Sequence, residues 1–266
     1  MKKILALILA LVLALSMVAC ANSNAGDDTT AADTTAAPET TGEDTTAAAD
    51  TTAAADTTAP ADAAEVMTYA EYAAAELESA VTIEAYVQDT QSWWDNKITV
   101  YTQDADGAYF VYDMACAEED AAKLVPGTKI RVSGYKSEWS GEVEIIDGTF
   151  EFVEGADTYV AAALDVTEKL GTDELINYQN QLVAFKGLTV EAVEYKNGKP
   201  GDDIYVTLGY NGASYSFCVE VSLTDTETDV YTTVGTLEVG DVVDVEGFLY
   251  WYEGANPHIT AIAVAD

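Results

Sequence analysis

Two stretches decide the fold because they are one pattern written twice: Leu124-Val-Pro-Gly-Thr-Lys-Ile-Arg-Val-Ser-Gly-Tyr135 and Leu237-Glu-Val-Gly-Asp-Val-Val-Asp-Val-Glu-Gly-Phe248. They align without a gap at an offset of 113 positions. The same offset continues past both stretches and pairs Trp139 with Tyr252. An internal repeat of this kind predicts two copies of one small domain.

Within each copy, the apolar residues follow the alternation that is typical of β-strands. The run Val81–Val87 alternates apolar with polar residues, as does Ile130-Arg-Val132-Ser in the repeated stretch. Asp106-Gly107 and Asn211-Gly212 lie between such runs and predict hairpin turns. Each copy is therefore expected to be a small antiparallel β-domain.

Two short helices are expected in the first copy. Glu118 to Val125 predicts one between the third and fourth strands, and Thr68 with Glu71 predicts a capping box that opens another over Tyr69–Ser79. Five strands, a helix after the third and a glycine in the fourth resemble the OB-fold, a small Greek-key barrel.

The resemblance predicts a mostly β protein with two tandem five-stranded OB-like barrels, one in residues 66–155 and one in residues 156–266. A pair of antiparallel sandwiches, or of other small barrels, is the competing architecture.

The first twenty residues are typical of a targeting segment. Lys2 and Lys3 precede the apolar run Ile4–Leu15, and small residues stand before Cys20. The stretch resembles a bacterial lipoprotein signal peptide, and the whole chain resembles tandem OB-like lipoproteins of Gram-positive bacteria. The resemblance implies that Cys20 is lipidated and anchors the protein on the extracytoplasmic face of the cell membrane. A plain secretory signal with a chance cysteine is the alternative.

Residues 21–65 consist almost entirely of Ala, Thr and Asp, with ten acidic and no basic residues. They contain no aromatic or long aliphatic side chain whose burial would offset the entropy of ordering. We therefore predict a disordered tether between the anchor and the barrels.

Charge and composition narrow the function. Residues 66–266 hold 37 acidic against 9 basic residues, a formal charge of −28, which makes a nucleic-acid partner unlikely because phosphates are bound by clustered Lys and Arg. His258 is the only histidine, and it is predicted to be a structural or surface residue at the start of the last strand and not a catalyst. Cys116 and Cys218 are interpreted as two separately buried thiols. No metal, cofactor or enzymatic activity is predicted, and we expect a monomer.

Aromatic residues near two loops of the first copy and one loop of the second are the candidate binding residues: Trp93, Trp94, Trp139, Tyr250, Trp251 and Tyr252. In OB-folds, the loops after the first and fourth strands flank the face of strands two and three, where oligonucleotides and oligosaccharides bind. We expect two equivalent surfaces, one per domain, for a cell-wall glycan or a surface protein. The alternative is that these rings fill the cores. The leading hypothesis is a non-catalytic binding module, ahead of a nucleic-acid binder and a structural spacer.

Overall fold

The computed structural model describes residues 65–265, which lie mostly in β-strands. The signal peptide, Cys20 and nearly all of the predicted tether lie outside the described residues. In the part that is described, no helix is long and apolar enough to cross a membrane.

Helix α1 (Tyr69–Ala74) begins at the predicted capping box, in which Thr68 and Glu71 bond to each other's backbone N–H. The prediction that this helix extends to Ser79 is wrong. The helix ends early because the backbone of Ala75 is extended. The ammonium group of Lys136 caps this end, donating to the carbonyl oxygens of Tyr72, Ala73 and Ala75 at 2.9–3.0 Å.

The first barrel closes in the strand order β1-β2-β3-β5-β4, with β3 and β5 parallel. Its elements are β1 (Ala80–Thr90), β2 (Lys97–Gln103), β3 (Ala108–Ala115), α2 (Glu118–Ala121), β4 (Lys129–Trp139) and β5 (Glu142–Phe152). Helix α2 lies between the third and fourth strands as predicted, although it stops before Val125. Inward side chains such as Ile83, Val132 and Ile145 form the core.

The second barrel repeats this connectivity. Its elements are β6 (Leu164–Asp165), β7 (Leu182–Tyr195), β8 (Ile204–Tyr210), β9 (Ala213–Val219), α3 (Val221–Thr224), α4 (Asp229–Val234), β10 (Val242–Phe248) and β11 (His258–Val264). The order β7-β8-β9-β11-β10 is closed by pairing between β10 and β7, while β6 adds to β7 outside the ring. Strands β9 and β11 are parallel, like β3 and β5.

This strand order, found twice, is that of the OB-fold, so the prediction of two tandem OB-like barrels is confirmed and that of paired sandwiches is excluded. The repeated glycine of the fourth strand has a physical reason in both copies. A Cβ on Gly134 would approach the carbonyl oxygen of Ile146 to 2.7 Å, and one on Gly247 would collide with the carbonyl oxygen of His258. Both glycines therefore permit close approach of the fifth strand.

The two predicted hairpins are also present. Asn211 and Gly212 both have positive φ between β8 and β9, as a two-residue turn requires. Between β2 and β3, the Asp104 carboxylate accepts from the backbone N–H groups of Asp106 and Gly107 at 2.8 and 2.9 Å. Cys116 and Cys218 are buried free thiols, as expected.

Candidate functional site

The β2–β3 face of the first barrel, where the OB resemblance places a ligand, is covered by the second barrel. The outward side chains Tyr101 and Phe110 are both buried. The ring of Tyr101 stacks on Phe248 with centroids 4.2 Å apart, and that of Phe110 meets Tyr250 edge-on at 5.4 Å. This face is therefore an interface between the two barrels.

Polar contacts complete the interface. The hydroxyl of Tyr101 lies 2.8 Å from Nδ1 of His258, and Nδ1 lies 3.2 Å from a carboxylate oxygen of Glu220. Gln91 of the first barrel donates to the same carboxylate at 2.8 Å. His258 is thus buried at the start of β11 in a structural network, which confirms its predicted structural role.

The corresponding face of the second barrel is open. Strand β8 alternates inward Val206 and Leu208 with outward Tyr205 and Thr207, and Ser216 stands opposite Thr207 on β9. This face carries small hydroxyl side chains and one partly exposed ring, so it offers little flat apolar surface to a ligand.

The loops after the fourth strands of the two barrels meet each other. The rings of Trp139 and Tyr252 lie 5.2 Å apart, yet the two residues stay 53% and 48% exposed. The backbone N–H of Glu253 donates to the carbonyl oxygen of Ser140 at 2.8 Å. The prediction of two separate surfaces, one per domain, is therefore wrong: the repeat-equivalent residues Trp139 and Tyr252 form one exposed aromatic pair across the domain junction.

The other candidate rings divide between core and surface. Trp93 packs on the first core and donates from Nε1 to the carbonyl oxygen of Cys116 at 2.9 Å. Trp251 packs on the second core with its indole over Gly141, and Tyr250 packs into the interface. Trp94 is 80% exposed on a tight turn, and no other ring pairs with it in the described part of the chain.

Beside the aromatic pair lies an outward sheet face of the first barrel that sequence reasoning missed. We call it the junction face. It comprises outward residues of three strands of the first barrel and one ring of the second barrel: Tyr112 of β3, Glu142 and Glu144 of β5, Tyr135, Ser137 and Trp139 of β4, and Tyr252. Strand register places Trp139 opposite Glu142, and Ser137 opposite Glu144. Tyr112 and Tyr135 are both about half exposed.

A sequence signal for this face exists in the phase of the strands. Ile130 and Val132 point into the core, so alternation puts side chains of the other phase on the outer surface. For Tyr135, however, the repeat points the other way. Its equivalent in the second copy is Phe248, which is buried at the domain interface, whereas Tyr135 is half exposed.

Two glutamates of β5 form the floor of the junction face. Glu144 is only 7% exposed and makes no hydrogen bond or ion pair with any described residue. Burial, and then the charge of Asp113, raise the pKa of Glu144. The carboxylate oxygens of Glu144 are not among the buried unpaired atoms of the described chain, so this largely buried residue presents a carboxylate that solvent reaches and that has no donor from the described chain.

Glu142 joins the two barrels more directly. It is fully buried, and its Oε2 accepts from the backbone N–H of Trp251 at 2.7 Å and from Gln179 at 3.1 Å. Burial raises the pKa of Glu142 to about 8, although the hydrogen bonds from Trp251 and Gln179 oppose the rise. The other oxygen, Oε1, and the Oδ1 atom of Asn180 are both buried acceptors without a partner in the described chain. A proton on Glu142 would remove one of these unpaired acceptors.

No family model matches the chain, and no curated protein sequence matches it. Among solved structures, it is similar to a murine DNA binding protein bound with double-stranded DNA (11% identity, TM-score 0.37, 70% of this chain and 95% of that one). It is also similar to a replication protein A heterotrimer bound to single-stranded DNA (15% identity, TM-score 0.30, 70% and 49%).

An asparaginyl-tRNA synthetase from Pyrococcus horikoshii is similar over a shorter region, with 17% identity and a TM-score of 0.27. That match covers 32% of this chain and 19% of the synthetase. We draw no functional assignment from likenesses of this size.

Proposed function

We propose that the protein is a non-catalytic binding module, lipid-anchored outside the cytoplasm, that holds a polysaccharide of the cell envelope on the junction face. The exposed aromatic pair of Trp139 and Tyr252 carries this proposal. Flat rings present apolar surface with a polar edge, which suits the apolar C–H faces and hydroxyl rim of a sugar. The Ser137 hydroxyl and the Glu144 carboxylate provide hydrogen-bonding groups beside the rings, as orienting polar groups do in ligand sites.

A nucleic-acid ligand is the weaker candidate because of charge. The junction face includes two glutamates and neither Lys nor Arg, and residues 66–266 carry −28. Phosphates would meet repulsion at the surface where the OB loops converge. A sugar polymer without phosphates avoids that cost.

The proposed anchor is Cys20, with residues 21–65 as the tether that lets the barrels reach material beyond the membrane surface. We expect Cys20→Ala to move the full-length protein from the membrane fraction to the soluble fraction after detergent-free lysis, because lipid attachment would be lost. Retention of Cys20→Ala in membranes would contradict the anchor, whatever the barrels bind.

The binding proposal is tested with Trp139→Ala and Tyr252→Ala, measured by retention on purified peptidoglycan and on soluble wall polysaccharide. Stacking on a ring contributes about 1–3 kcal/mol in nucleic-acid complexes, so we expect each variant to lose roughly tenfold in affinity. Tyr205→Ala, which removes a partly exposed ring from the open face of the second barrel, is the matched control and should bind like the wild type.

Thermal unfolding confirms that each variant is folded before binding is compared. Unchanged retention of both junction variants would contradict the proposal, as would a loss confined to Tyr205→Ala. Single-stranded DNA is included at two salt concentrations, and tight binding that weakens steeply with salt would favour the nucleic-acid candidate instead.

A further inference from the structure

We infer that the junction face selects sugars that carry a protonated amino group, with Glu144 as the residue that recognises the amine. The inference rests on the proposed glycan function and names the class of sugar.

Strand register puts Glu144 in the middle of the face. It stands opposite Ser137 on β4 and opposite Phe110 on β3. Trp139 and Tyr112 are each two residues farther along those neighbouring strands, which corresponds to roughly 7 Å. A chain of sugars stacked on Trp139 therefore has its next unit within reach of the Glu144 carboxylate.

Glu144 lacks a donor and a counter-charge within the described residues. A largely buried carboxylate without a counter-charge is costly, and the negative charge of Asp113 adds repulsion. Among the described residues, Asp113 pairs with the exposed Lys97. A sugar hydroxyl would supply a hydrogen bond alone. An ammonium group would supply a hydrogen bond and the missing positive charge, and charge-assisted bonds are about twice as strong as neutral ones.

The surrounding rings favour a cation as well. Tyr112 lies beside Phe110, with ring centroids 6.5 Å apart, and Tyr250 meets Phe110 edge-on. The charges of Glu142 and Glu144 contribute to raising the pKa of Tyr250, after burial, which places this hydroxyl in the same negative field. Phe110 is buried and Tyr250 packs into the interface, so the half-exposed ring of Tyr112 is the one that an ammonium group on this face could contact. An aromatic face beside a carboxylate is a favourable environment for an ammonium group. The overall charge of −28 draws a cationic polymer towards the surface.

The test compares two probes with the same backbone: chitosan hexamer, whose amines are free, and chitin hexamer, whose amines are acetylated. Affinities are measured by calorimetry at pH 6 and physiological salt. We expect the wild type to bind the free-amine hexamer about tenfold or more tightly than the acetylated one, and Glu144→Gln to lose that preference. Glu138→Gln, which removes an exposed carboxylate from neighbouring β4, is the charge-matched control and should keep it.

The comparison of the two hexamers on the wild type can overturn the inference even if a variant fails to fold, and the two glutamate variants separate Glu144 from the general charge of the protein. Equal affinity for both, weakened for both by Trp139→Ala, overturns the amine inference and leaves the proposed glycan function standing. Equal loss of preference in Glu144→Gln and Glu138→Gln also overturns it, because general charge would then explain the selectivity. Failure to retain any wall polysaccharide or hexamer overturns the proposed function itself.

Discussion

The two barrels share one topology but use the same face in opposite ways. In the first, the β2–β3 face is buried beneath the second barrel; in the second, the β8–β9 face is open. The outward residues explain the difference: the first barrel presents Tyr101 and Phe110, whereas the second presents Thr207 and Ser216. A face whose outward side chains are large and apolar is covered, and one whose side chains are small and hydroxylated remains in water.

The largest expected effect comes from Phe248→Ala, which removes a ring that covers the β2–β3 face of the first barrel. Phe248 is buried against Tyr101, and truncating such a ring should lower the free energy of unfolding by about 3–5 kcal/mol. Urea unfolding measures the loss, and hydrogen exchange should show faster exchange in β2 and β3 as their outer face opens.

The control for this change is the repeat-equivalent Tyr135→Ala, which truncates a half-exposed ring and should cost at most about 1 kcal/mol. Similar losses for the two variants would mean that the repeat-equivalent rings are equally buried in solution, contrary to the contrast between the barrels.

A pH dependence should come from Glu142, which lies where the barrels meet. Its pKa is about 8 in the folded chain against 4.5 for an ordinary glutamate, so the folded state binds the extra proton between these values. The free energy of unfolding should therefore fall as the pH rises through this window, and level off above it. Because Glu142→Gln stays neutral, it should become more stable than the wild type, by up to about 5 kcal/mol at the alkaline end.

Only the difference between the two unfolding curves isolates Glu142, since other carboxylates titrate in the same range. Glu138→Gln provides the same charge change at an exposed site and should run parallel to the wild type. Parallel curves for Glu142→Gln as well would show that Glu142 is already ionised in the folded protein.

The smallest expected effect comes from giving the first barrel the residue that the second barrel has at the equivalent position. Lys136, which caps α1, corresponds in the repeat to Leu249, a fully buried residue of the second core. Lys136→Leu should keep the packing but remove the ammonium donor from the carbonyl oxygens of Tyr72, Ala73 and Ala75, of which that of Tyr72 still accepts from the Ala75 N–H, at a cost of about 1–2 kcal/mol. Hydrogen exchange should show loss of protection confined to α1 and the residues after it. Unchanged protection of α1 would mean that side-chain packing, not the ammonium group, holds the helix.

Most of the fold could be predicted from the sequence, whereas the candidate site could be predicted only in part. The repeated stretch, the Asn211-Gly212 turn and the Thr68 capping box are local patterns, and each appears as predicted. Trp139 and Tyr252 were correctly paired by the offset of 113, but as equivalents and not as neighbours in contact. The burial of Glu144 could not be predicted from the sequence, because nothing in the sequence distinguishes it from the other acidic residues, 37 in all, of residues 66–266.

The sequence by itself determined that there are two copies, which residues face each core, and where the strands turn. These properties depend on periodicity and turn chemistry over a few residues. Only the tertiary structure decided which outer face is covered, that the loops after the fourth strands of the two barrels meet, and that Glu142 is fully buried while Glu144 is largely buried. Those outcomes depend on contacts between residues far apart in the chain, such as Glu142 with Trp251, and alternation within one strand sets only the inside and outside of its own barrel.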